Sequence, residues 1–173
     1  ATIILVGACL TYGFVSRYTG FLFRSYDLVN VSVLFEVAKV LIPFLLWCVV
    51  NWAVTTLVDG KGSFKDIYMA TSYALIPIII IYVPLTIVSN FMTLNEGMFY
   101  TLFINIGLIW TVAMVLAGNM EIHDFTISKT ILTCIITIIG IAIVIYLSLL
   151  FFSFVDQIRV FIMEIIQEYV TRI

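Results

Sequence analysis

Charged residues are so sparse in this chain, and so clustered, that the uncharged runs between the clusters set its architecture. Val40 to Val58, Ile67 to Asn95, Gly97 to Met120 and Thr130 to Val155 carry no Asp, Glu, Lys or Arg. A helix needs about 20 apolar residues to cross the hydrocarbon of a bilayer, and these runs supply that length, whereas barrel strands would show alternation over about 10 residues. The apolar pattern of the first of these runs extends back to about Val33, which places Glu36 and Lys39 in the opening turns of that helix. Ahead of it, Ala1 to Ser16 forms a further apolar run that stops at Arg17 and Arg24. At about 16 residues it falls short of a full crossing, so the first span is expected to be truncated, with an upstream segment before Ala1. The fold class is therefore all-α and membrane-integral: a five-transmembrane-helix bundle over residues 1–153, followed by a C-terminal amphipathic helix over 154–173.

Composition excludes the soluble alternatives. Of 173 residues 64% are hydrophobic and 10% charged, against about 25% charged in an ordinary soluble domain. A net charge of −2 without a basic cluster gives no nucleic-acid surface. Cys9, Cys48 and Cys134 lie far apart in apolar runs and read as small core residues. No cofactor, metal or catalytic group is expected. His123, the single histidine, has neither convergent ligands nor a nucleophile beside it in Glu121-Ile122-His123-Asp124.

Capping signals divide the runs at the same places. Asp59-Gly60-Lys61-Gly62 offers glycines able to take positive φ and end the second helix. Ser63-Phe64-Lys65-Asp66 then matches a capping box, and Thr93-Leu94-Asn95-Glu96 a second one. Before the fifth helix, Asp124, Thr126 or Ser128 could serve as cap. Counting Lys and Arg on the two sides does not decide the orientation. In the tail, Phe154, Ile158, Phe161, Ile162, Ile165 and Ile166 recur at helical spacing against Asp156, Gln157, Glu164 and Glu168. The acidic polar side favours docking on protein over anchoring in a membrane surface.

Three sets of residues could carry function. Glu36 and Lys39 form a possible intramembrane ion pair at i,i+3; the bland alternative, taken as the default, is that both snorkel at interfacial depth. Pro43, Pro77 and Pro84 fall inside spans as helix kinks, which build substrate sites in some transporters and are ordinary bends in other bundles. Thr130, Thr133, Thr137 and Gly140 on the fifth helix, with Thr101, Asn105 and Gly107 on the fourth, read as close-packing and interhelical hydrogen-bonding positions. Asn51 and Asn90, near span ends, read as interhelical or capping residues.

The stretch from Asn51 through Asp59-Gly60-Lys61-Gly62-Ser63-Phe64-Lys65-Asp66, followed by Ala74-Leu75-Ile76-Pro77, resembles the membrane domain of the Yip1 family in its Gram-positive bacterial form. The likeness runs from about Arg17-Tyr18-Thr19-Gly20-Phe21 through the fifth span. It implies a five-span bundle in a bacterial cytoplasmic membrane with its amino terminus in the cytoplasm, and no catalytic residue. Eukaryotic members act in vesicle traffic and bind Rab GTPases, a role not carried over to a bacterial chain. The expected function is a non-enzymatic accessory or scaffold subunit whose partners are the lipid bilayer and other membrane-protein subunits, including ABC-type transporter components. The competing expectation is a small transporter or channel that uses Glu36, Lys39 and the proline-broken helices.

Overall fold

The computed structural model describes residues 1–23 and 33–171, with side chains through residue 168. Arg24 and the last two residues of the tail, 172–173, lie outside the described residues. Among the described residues six α-helices follow one another: α1 (Thr2–Tyr18), α2 (Val33–Leu57), α3 (Phe64–Ala74), α4 (Ile76–Val88), α5 (Gly97–His123) and α6 (Ile127–Thr171). Four helical stretches among them have the length and apolarity to cross a membrane: Val33–Leu57, Phe64–Val88, Leu94–His123 and Ile127–Glu168. The shorter apolar helix α1 packs beside them, against α2 and α4.

Local chemistry explains the breaks. Ser63 caps α3 in a reciprocal box, its backbone N–H donating to Asp66 Oδ2 at 3.0 Å and its Oγ accepting from the Asp66 N–H at 3.4 Å. Thr93 and Glu96 form the second box, which opens a short 3₁₀ turn leading into α5. Of the three possible caps before α6, Thr126 holds the position, its carbonyl accepting from the Thr130 N–H; Asp124 instead ends α5 in a left-handed conformation, φ 52°. The apolar stretch Phe64–Val88 is interrupted at Leu75. Pro77 sits in the first turn of α4, where its missing N–H costs nothing, and its ring disfavours helix continuing from α3. Pro43 and Pro84 lie inside α2 and α4, which run through them.

The packing inverts the usual distribution. Ile3, Leu34 and Phe91 are exposed, while Thr55, Thr86, Thr137, Ser72 and Asn51 are wholly buried. Lipid solvates Ile and Phe as well as a protein core does, so interior positions go to small side chains that let backbones approach and to polar ones that bond across helices. Leu5, Phe44, Cys48 and Ile67 form the apolar centre where α1, α2 and α3 meet. Gly140 is one such close approach, since a Cβ there would lie 2.8 Å from Val50 Cγ1. The threonine stripe of α6 is buried against its neighbours. Beyond residue 141 every described side chain of α6, from 142 to 168, is exposed.

Candidate functional site

The α2–α3 and α5–α6 turns meet at one end of the bundle and interlock there. The left-handed residue that ends α2 is Asp59 (φ 55°), and neither Gly60 nor Gly62 has positive φ, in contrast to the role expected of the glycines. Space requires them instead. A Cβ on Gly60 would stand 2.6 Å from His123 Nδ1 and 2.8 Å from the Thr55 carbonyl oxygen; one on Gly62 would run into Ile122 Cγ2. The turn is therefore pressed onto the end of α5, and His123 is the surface it presses against.

His123 is 2% exposed. Its Nδ1 accepts the Gly62 N–H at 3.1 Å, so in this arrangement the ring hydrogen resides on Nε2, a buried atom without a partner among the described residues. The ring stacks on Phe125 at 5.2 Å, and Lys129 Nζ stands 4.1 Å from the centre of the Phe125 ring. The same ammonium donates to the Val58 carbonyl at 2.9 Å, satisfying an acceptor left free at the end of α2. On the outside, Lys61 and Asp124 pair at 2.8 Å. That contact holds the Asp124 carboxyl below the usual carboxylate range and raises the Lys61 ammonium, the hydrogen bond being the larger cause in both. Of the family-like turn Gly60 to Lys65, then, both glycines and Lys61 touch the α5–α6 turn, Ser63 caps α3, and Phe64 packs edge-on against Trp52.

Below this latch lies a buried polar knot. Asn51 Nδ2 donates to Asn119 Oδ1 at 2.8 Å, Thr137 Oγ1 donates to Asn51 Oδ1 at 3.3 Å, and Asn119 Nδ2 donates to Cys134 Sγ at 3.4 Å. It binds α2, α5 and α6 to one another. Partner geometry of this kind cannot be read from spacing, because Asn51 and Asn119 stand 68 residues apart.

At the opposite end, Glu36 is 4% exposed and turned toward α1. Ser16 Oγ donates to Oε1 at 2.7 Å and Arg17 Nη2 approaches Oε2 at 3.5 Å. Lys39, the expected partner, is instead exposed and lies 4.7 Å above the Phe35 ring. The reason is directional: Glu36 lies on the face of α2 that meets α1, and Lys39, one turn later, lies outside it. Asn90 donates to the Tyr18 and Thr86 carbonyls, and the Gly20 N–H donates to Ser89 Oγ, which ties the ends of α1 and α4. Among the described residues no three His, Cys, Asp or Glu side chains converge as a metal site would require. The three cysteines are buried and free.

An all-helical bundle with several bilayer-length apolar helices, a polar interior and side-chain locks at both ends is a multi-pass integral membrane protein. Residues 1–152 match the family model of the Yip1 domain, and the chain belongs to that family. No curated protein and no solved structure matches it.

Proposed function

We propose that this protein is a non-enzymatic accessory or scaffold subunit of a bacterial membrane complex, with five spans that include α1, its amino terminus in the cytoplasm and its partner a transport assembly of the ABC type. The observation that carries the reading is the length of α6. Its 45 residues make a rod of about 67 Å, more than twice the roughly 30 Å of a bilayer's hydrocarbon. A helix of that length leaves Phe161, Ile162, Ile165 and Ile166 uncovered beyond the membrane unless another surface receives them. Asn105 points the same way: it lies exposed on α5, on an otherwise apolar surface, and a carboxamide facing lipid is stabilised by a partner that hydrogen-bonds it. The test is gentle detergent extraction with a photo-crosslinker at Phe161. Recovery of a stoichiometric membrane-protein adduct supports the proposal, and a lone monomer with no adduct refutes it.

A transporter or channel is the second reading, favoured by the break at Leu75 and by a carboxylate buried within the bundle. Flux across reconstituted vesicles that Glu36→Gln and Pro84→Ala both alter would establish it. Flux that neither variant changes would sink it.

A further inference from the structure

Two cavities meet at Arg17, and their linings differ in kind. One, about 250 Å³, opens between α1 and α2 and is largely apolar, bounded by Leu10, Phe14, Val33 and Val37. The other, about 500 Å³, opens between the ends of α1 and α4 and is more polar, with Thr19 and Asn90 on its wall. Phe14, Arg17 and Tyr18 line both. Arg17 belongs to the last turn of α1, the depth of the headgroups if α1 lies across the membrane, and its side chain is 48% exposed. Glu36 engages one terminal nitrogen of the guanidinium, with Ser16 holding the far carboxylate oxygen; among the described residues the rest of the fork meets no other acceptor. Gly13 makes room for this arrangement, since a Cβ there would stand 3.2 Å from Glu36 Oε2.

We propose that this pair of cavities is a binding site for an anionic phospholipid, its phosphate on Arg17 in the polar cavity and one acyl chain in the apolar cavity between α1 and α2. A guanidinium positioned by a buried carboxylate supplies the planar, multi-donor fork that phosphate oxygens accept. The adjoining apolar cavity, lined by membrane-facing side chains, takes hydrocarbon without exposing it to water. A soluble phosphate would use the polar cavity and leave the apolar one empty, which separates the two sources experimentally.

The experiment is native mass spectrometry of the full chain from mixed micelles with equal amounts of phosphatidylglycerol and phosphatidylcholine. A cationic contact near a membrane surface contributes about 1 kcal/mol, so a phosphatidylglycerol preference of roughly fivefold or more is expected. Arg17→Gln combined with Glu36→Gln removes the charge and leaves no ion unpaired, and its preference should fall to near unity; Arg17→Lys should fall between. Val37→Phe, which fills the apolar cavity, should lower phosphatidylglycerol occupancy, and millimolar inorganic phosphate should not displace it. Protection of Cys48 and Cys134, both buried away from this site, from thiol reagents confirms that each variant is folded. Equal binding of the two lipids by the wild type, or a preference that survives the double substitution, overturns the proposal. So does displacement by inorganic phosphate together with indifference to Val37→Phe, which would mark a site for phosphate alone.

Discussion

Gly62→Ala is the sharpest probe of the turn-to-turn latch. The added methyl would collide with Ile122 Cγ2 and stand 2.8 Å from His123 Cε1, and both atoms belong to the end of α5, which the Asn51–Asn119 bond and the Lys61–Asp124 pair hold in place. Overpacking of this kind costs about 1–3 kcal/mol, and loss of the Gly62 N–H···Nδ1 bond adds about 1 kcal/mol. At about 2–4 °C per kcal/mol for a chain of this size, the melting temperature should fall by roughly 4–15 °C. The protein carries its own reporter: Cys9, Cys48 and Cys134 are all buried, so labelling by a fluorogenic maleimide during a thermal ramp reads unfolding directly. Adding His123→Ala removes one of the two side chains the methyl meets, and with it the acceptor of the Gly62 N–H. The double variant should therefore lose less than the sum of the two singles, by at least about 1 kcal/mol in a double-mutant cycle. A Gly62→Ala melting point within 1 °C of wild type, or strict additivity with His123→Ala, would refute the reasoning that this glycine is required by its contact with α5.

Asn119→Leu strips Asn51 Nδ2 of its acceptor deep in the bundle and should cost about 1–2 kcal/mol by the same thiol assay, whereas Asn105→Leu, on the outer face of α5, should cost the isolated protein little. Pro77→Ala should change the melting point in the same thiol assay by well under what the roughly 3 kcal/mol of an interior proline would give, because the first helical turn tolerates proline. Asp124 is held below its ordinary range and Lys61 above its own, so the pair's contribution is present above the unfolded carboxylate range and below the unfolded lysine range. The difference between wild type and Asp124→Asn should thus stay flat from about pH 5 to 9, shrink as pH falls through the depressed carboxyl value, and diminish in high salt. Truncation after Ser153 should leave the melting point within about 1 °C, since every described side chain from 154 to 168 is exposed, while abolishing recovery of any partner held by α6.

The parts of this molecule that were legible in its sequence are those governed by local chemistry. Uncharged runs located the long helices because bilayer hydrocarbon admits little else, and Ser63–Asp66 and Thr93–Glu96 revealed their boxes because a capping box is complete within four residues. What the sequence concealed is what depends on direction and on distant partners. Glu36 and Lys39 are close in sequence, yet a three-residue step carries the lysine out of the α1 contact, and the carboxylate takes Arg17, nineteen positions earlier. The glycines of the turn suggested positive φ, the usual reason for glycine after a helix. Asp59 provides that conformation, and the glycines answer to the bulk of His123, sixty residues away. A histidine without neighbouring ligands looked inert because its role is to be packed against.

The two ends of the bundle and the overhang of α6 divide the labour in a way that bears on function. Hydrogen bonds from side chains fix both ends: Lys129 and His123 hold the α2–α3 turn, while Asn90 and Ser89 hold the end of α1. Ends tied in this way are of little use to a carrier that must open alternately to each side, because each opening would break several hydrogen bonds at once. In the scaffold proposed above they serve to present one element in a fixed direction: α6, anchored through Thr130, Thr133, Thr137 and Gly140 and with every described side chain from 142 to 168 exposed. Its anchoring is independent of its overhang, so a partner can bind the outer half without competing with the packing that holds the inner half.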